Sequence, residues 1–165
     1  MIDGIEKMLE VLLEEKCLYK NILELSVQET DVLINNNIKE LDMIVEKEQF
    51  LIIKLGETEC KRQNILVEIA EQMNIEEQLL TANKILEKAS PEMKDQISSV
   101  VDELTTILDK QKELNETNMH LIENNLSYIN EMIHQVIIGD VKKNNYNGSG
   151  NRSLKQKQNI IDQSV

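Results

Sequence analysis

The run Ile34-Asn35-Asn36-Asn37-Ile38-Lys39-Glu40 decides how this chain folds. Before it, Ile5, Met8, Leu9, Leu12, Tyr19, Ile22, Leu23 and Leu33 recur at steps of three and four, the period of an amphipathic helix over about 2–34. Three consecutive asparagines break that period. Asn37 with Glu40 three residues on has the form of a capping box, which satisfies free N–H groups at the start of a new helix. A connection this short returns the second helix antiparallel to the first.

The second helix is expected from Ile38 to about Met73, with Leu41, Ile44, Val45, Ile52, Leu55, Leu66, Ile69 and Met73 along its stripe. Glu48, Glu59 and Arg62 fall on or beside that stripe. Glu59 and Arg62 are spaced for an ion pair one turn apart, or for a bond to a later helix. Gly56 interrupts the helix, either to admit a close crossing or without consequence. A hairpin turning near Asn36 sets Cys17 opposite position 56, about four residues or ~6 Å from Cys60. A disulfide between the two cysteines is therefore not expected.

A short amphipathic segment follows from Asn74 to Ala89, opened by Asn74-Ile75-Glu76-Glu77. Ser90-Pro91-Glu92 then starts the last helix, with proline at the first helical position where its missing N–H costs nothing. Its stripe reads Ile97, Val101, Leu104, Leu108, Gln111, Asn115, Asn118, Ile122, Asn125, Ile129, Met132 and Val136: heptad spacing, apolar at both ends and polar through the middle. Gly139 is the expected stop. The fold class expected is all-α, an elongated antiparallel hairpin and coiled-coil bundle of three to four helices. Residues 1–138 would form the helical domain and 139–165 a flexible, disordered basic tail.

Composition agrees. Of 165 residues 41% are apolar, mostly aliphatic, with one Pro, five Gly and four Phe or Tyr, too few turn and aromatic residues for β architecture. The net charge is −12. In the tail Lys142, Lys143, Arg152, Lys155 and Lys157 outnumber Asp140 and Asp162, giving +3 there and −15 over residues 1–138. An acidic body argues against nucleic acid, whose binding rests on neutralising phosphates. The start lacks the basic and apolar regions of a secretory signal. No apolar run is long enough for membrane insertion. Two lone cysteines suit a reducing compartment, so a soluble cytoplasmic protein is expected.

Chemistry is scarce. Glu131-Met132-Ile133-His134 has the Glu-x-x-His spacing of di-iron bundles, but such centres need a second copy and two more glutamates. His120 has Thr117 three residues before it. With no nucleophile elbow, Gly-rich phosphate loop or zinc pair, no catalytic residue, metal or cofactor is expected. The asparagines remain. Asn115 and Asn118 at core-facing positions either fix register or oligomeric state, including a homodimer in which they pair across subunits, or mark a helix open to an amphipathic partner. The methionines suit an adaptable surface as well as a core. Tyr146, alone in a polar tail, is a candidate contact residue.

These residues carry a family resemblance. Leu51, Ile52, Leu55, Glu59 and Arg62 resemble the leucine-rich run ending Glu-x-x-Arg of FlgN-type flagellar export chaperones. Leu114, Asn115, Asn118 and Leu121 match that family's Leu-Asn-x-x-Asn-x-x-Leu, with Ile122 beside them. Tyr146 and Gly150 match its Tyr-Gly-x-x-Gly tail, although Asn147 replaces the first glycine. The resemblance implies a chaperone that binds the amphipathic terminal helices of hook-associated, or hook–filament junction, proteins. It would keep them unassembled and deliver them to the flagellar type III export gate. It implies further that Asn115, Asn118, Leu121, Ile122 and the apolar residues to Val136, Ile129 and Met132 among them, form the substrate groove, and that Tyr146 and Gly150 dock at the gate.

Overall fold

The computed structural model describes residues 3–144. It is all-α: α1 spans Asp3–Ile34, α2 Ile38–Met73, α3 Ala82–Lys88 and α4 Pro91–Asn144, with one 3₁₀ turn at Glu77–Leu79. The chain divides after Asn125 into two compact units. The first holds α1 to α3 and the first part of α4; the second holds the rest of α4.

The asparagine run closes one helix and opens the next. Asn36 takes the left-handed conformation (φ 52°), which asparagine tolerates better than most residues. Its N–H donates to Leu33 O at 3.3 Å and that of Asn37 to Val32 O at 3.1 Å, the paired bonds of a Schellman ending. Asn37 then caps α2. Its side-chain oxygen accepts from the Glu40 N–H at 3.4 Å, while its amide donates to the Glu40 carboxylate at 2.7 Å. The glutamate thus reaches the capping side chain, where a full capping box would have it reach the capping backbone.

Asn74 departs from expectation. It ends α2 with φ 52°, its N–H donating to Glu71 O and that of Ile75 to Ala70 O, both at 3.0 Å. The short helix starts later, where Thr81 accepts from Lys84 N–H at 3.4 Å. Ser90 caps α4 as expected, accepting from Met93 N–H at 3.3 Å.

Ion pairs fix the register of the hairpin. Lys7–Glu68 (2.7 Å) and Glu14–Lys61 (3.0 Å) share one register, which sets Cys17 opposite position 58, nearer to Cys60 than the expected register had it. Both thiols are free and exposed. The exposed pairs themselves add little stability. The apolar core does more: Ile5, Met8 and Val11 of α1 meet Ile65 and Ile69 of α2, Ile85 of α3 and Ile97 of α4. A fully buried aliphatic side chain contributes roughly 1.5–3 kcal/mol.

Glycines divide into two kinds. At Gly4 a Cβ would lie 2.6 Å from Ile69 Cγ1, so the α1–α2 approach requires glycine there. At Gly56 a Cβ would meet nothing, and no close crossing exists. Gly139 does not stop α4, which continues to Asn144. Glycine inside a helix costs only about 1 kcal/mol relative to alanine, and no proline follows to break the turn.

The glycines yield a paired test. Gly56→Ala should raise unfolding stability by about 0.5–1 kcal/mol, the helix-propensity difference. Gly4→Ala should lower it by about 1 kcal/mol or more through overpacking at Ile69. Urea denaturation of both variants measures the two signs side by side.

Candidate partner-binding helix

Within the first unit α4 runs parallel to α1. Lys16 pairs with Glu103 at 3.1 Å, Ser26 with Gln111, Thr30 with Asn118 and Leu33 with Asn125. The α4 residues turned inward are Ile97, Val100 and Leu104, buried, then Ile107, Gln111, Leu114, Asn118, Leu121 and Asn125, half-buried or buried. This is a strict alternation of three and four. The expected stripe had one of its two lines correct (97, 104, 111, 118, 125) and the other displaced by one residue. Val101, Leu108, Asn115 and Ile122 are exposed.

From Gln111 onward the inward line bonds to α1 through amides, one per heptad. Gln111 Nε2 donates to Ser26 Oγ at 2.6 Å, and Ser26 Oγ donates in turn to Glu48 Oε1 on α2 at 3.2 Å. Asn118, only 3% exposed, donates from Nδ2 to Ser26 O at 3.0 Å and to Glu29 Oε2 at 2.8 Å. Its Oδ1 faces Thr30 Oγ1 at 2.6 Å. Asn125 Nδ2 donates to Leu33 O at 3.1 Å. Gln111 Oε1 is buried without a hydrogen-bond partner.

Two carboxylates lie in this interior. Burial raises Glu48 above the ordinary carboxylate value, nearby Glu29 raises it further, and the Ser26 hydroxyl opposes both. Burial likewise raises Glu15, against the pull of Arg62. Arg62 Nε lies 3.4 Å from Glu15 Oε1 and donates to Glu59 at 2.8 Å. The guanidinium therefore makes the expected one-turn pair and also clasps α1, not the later helix. Hydrogen bonds from Gln63 and Arg62 hold Glu59 below its ordinary value.

The structure scatters the expected partner-binding residues. Asn118 is enclosed by α1, its amide already engaged. Leu121 is half-buried beside it. Asn115 is exposed and accepts from Gln111 Nε2 at 2.8 Å. Ile122 is 37% exposed, Ile129 44%, Met132 50% and Val136 63%. Tyr146 and Gly150 lie outside the described residues.

Met119, Leu126, Ile133 and Ile137, which the expected heptad stripe leaves out, are all exposed. In the second unit Leu126, Ile129, Ile133 and Val136 follow the three-four alternation, with Met132 and Ile137 alongside. In the first unit Met119 and Ile122 are exposed on α4. The signal was present in the sequence as a second apolar line one residue away from the first. Ser26 and Thr30 were also passed over; their signal was the gap in the α1 stripe between Leu23 and Leu33.

No cluster of three or more potential metal ligands exists among the described residues. Glu131 and His134 are exposed, and His120 Nδ1 lies 3.6 Å from Glu123. No described helix is long and apolar enough to cross a membrane. Soluble chains rarely leave a large contiguous apolar surface uncovered without a binding use for it.

The fold is all-α, with one long amphipathic helix that leaves an apolar line exposed. Comparison with known families narrows the class. A family model described as FlgN protein matches residues 1–154, and the chain belongs to that family, the FlgN flagellar export chaperones. The family acts as chaperones and is not known for catalysis. No curated protein and no solved structure gave a significant match.

Glu48 gives a pH test. Its raised value penalises the ionised carboxylate in the folded state, so its share of stability is present at low pH and lost as pH rises through the folded value. Glu48→Gln removes the penalty and keeps an acceptor for Ser26. The variant should be more stable than wild type at pH 7, and the gap should close as pH falls toward 4.5 in matched denaturant titrations.

Proposed function

We propose that this export chaperone receives the amphipathic terminal helices of hook–filament junction proteins on the outward apolar line of α4. The observation that carries the reading is the exposure of Leu126, Ile129, Met132, Ile133 and Val136 on one helix. Free terminal helices with an apolar stripe need a complementary stripe, and pairing of the two removes both from water. In the first unit, exposed Ile122 and Asn115 and half-buried Leu121 are further candidate contacts. Asn118 contributes by holding α4 against α1.

Binding of this kind keeps assembly-prone helices apart until export. Ordering a disordered segment consumes part of the interaction free energy, which leaves affinity moderate and release possible without covalent chemistry. Tyr146 and Gly150, in the basic segment after α4, serve docking at the type III export gate in the cytoplasm. Self-association through the same line is the competing use. A constitutive dimer in light scattering that persists with saturating junction protein would favour it.

Ile129→Asp with Ile133→Asp places two charges on the line without touching the first unit's core. Capture of purified junction proteins should weaken by about 2 kcal/mol or more, the scale of buried interface anchors, while thermal unfolding of the first unit is unchanged. Unaltered affinity in isothermal titration would move the surface elsewhere.

Tyr146→Ala separates the two roles. Junction-protein affinity should be kept, while motility and export in cells carrying the variant fall. Lost affinity with normal export on overproduction would instead place Tyr146 in the cargo surface.

A further inference from the structure

Within the first unit a groove runs between α1 and α4, lined by residues of these two helices alone. It holds two open hollows of about 580 and 310 Å³ that meet at Leu23 and Lys110. Half-buried Leu23, Ile107 and Leu114 form its floor, and exposed Val27 lies on its α1 wall. From Glu103 at one end to Thr117 at the other it runs roughly 21 Å, the length of a four-turn helix. Its charge runs against that of the chain. Residues 1–138 carry −15, yet Lys16, Lys20 and Lys110 line the groove against Glu103 and Glu113. Glu103 is taken up by Lys16 at 3.1 Å. Lys20 on the α1 wall and Lys110 on the α4 wall are exposed and make no ion pair among the described residues.

We propose that this groove is a docking surface for an amphipathic helix of a partner protein whose apolar stripe is bordered by acidic residues. The stripe covers Leu23, Ile107 and Leu114, making with α1 and α4 the packing of a further bundle helix. The carboxylates on its two borders meet Lys20 from one wall and Lys110 from the other, which fixes orientation and partner choice. At physiological salt, charge interactions at the surface fade beyond about 8 Å, so the lysines at the groove outweigh the more distant acidic body. The same charge turns away the chain's own C-terminal segment, which is basic. The groove lies wholly in the first unit, and its role does not depend on the reading of the exposed line from Leu126 to Val136.

The native chain carries its own reporter and control: exposed Cys17 lines the groove, and exposed Cys60 lies on α2. Two synthetic helical peptides of about 16 residues, long enough to span the groove, share one leucine stripe, bordered by glutamates in one and by lysines in the other. Each is titrated against the full chain by fluorescence anisotropy. The glutamate peptide should bind at least about tenfold more tightly, the combined effect of two attractive contacts in place of two repulsive ones. When bound it should slow maleimide labelling of Cys17 several-fold and leave the rate at Cys60 unchanged. Lys20→Glu with Lys110→Glu should reverse the preference between the peptides. A lysine peptide that binds the native chain equally or better overturns the proposal, as does a glutamate peptide that shows no saturable binding or leaves Cys17 unprotected. An unchanged preference in the reversed chain, with helicity kept, overturns it too. If the reversed chain loses helicity, Cys17 protection in the native chain decides alone. Light scattering treats the other occupant: a native dimer split by the two reversals assigns the groove to a second copy and overturns the partner helix.

Discussion

The hydrogen bonds between the α4 amides and α1 are the constraint on which the upper part of the bundle depends. Each bond contributes modestly, because the same groups bond to water in the unfolded chain. Their force lies in the alternative. Asn118 is nearly as buried as the isoleucines of the core, and any displacement of α4 that strands its amide carries a penalty larger than the bond's own net worth. A polar side chain in an apolar line therefore specifies register more strongly than it stabilises. Three amides at seven-residue intervals, Asn118 the most buried, bond α4 to α1 along that alignment.

The two ends of the first unit are built on different principles. Near the base, aliphatic residues from all four helices meet around Ile5 and Ile69, and packing dominates. Higher up, Ser26, Glu48, Gln111 and Asn118 join buried Ile22, Val32, Leu33 and Ile44, and directional bonds supplement the packing. Glu15 and Arg62 sit between these regions and tie α1 to α2. A bundle firm at one end and hydrogen-bonded at the other gives up some stability to hold one helix in a defined orientation.

Much of this was legible in the residues, and the misreadings have physical causes. Three asparagines and a glutamate announced the hairpin because turn and cap chemistry is local. Ser90-Pro91 announced α4 for the same reason. Asn74 misled because asparagine serves both helix starts and left-handed helix ends, and only the chain's direction at that point separates them. Gly139 misled because a glycine stops a helix only when the next residues gain by leaving it. The α4 stripe was half right because two three-four lines share one row, and choosing between them needs the partner helix. Gly4 gave no signal, since its role comes from Ile69, 65 positions away in sequence.

The same ambiguity bears on recognition. A groove needs two walls, and residues 126–144 supply only one helix. On the proposed reading, a partner laid on Leu126, Ile129, Ile133 and Val136 would bring the opposing surface itself, and the complex would be a helix pairing and not an insertion into a preformed cleft. Such pairing asks for an amphipathic segment with the matching alternation and little else. That requirement is loose in sequence but strict in form. It admits related terminal helices that share a stripe, and it excludes folded proteins whose stripes are already covered. On the proposed reading such a surface would distinguish unassembled substrate from assembled substrate without reading its individual residues.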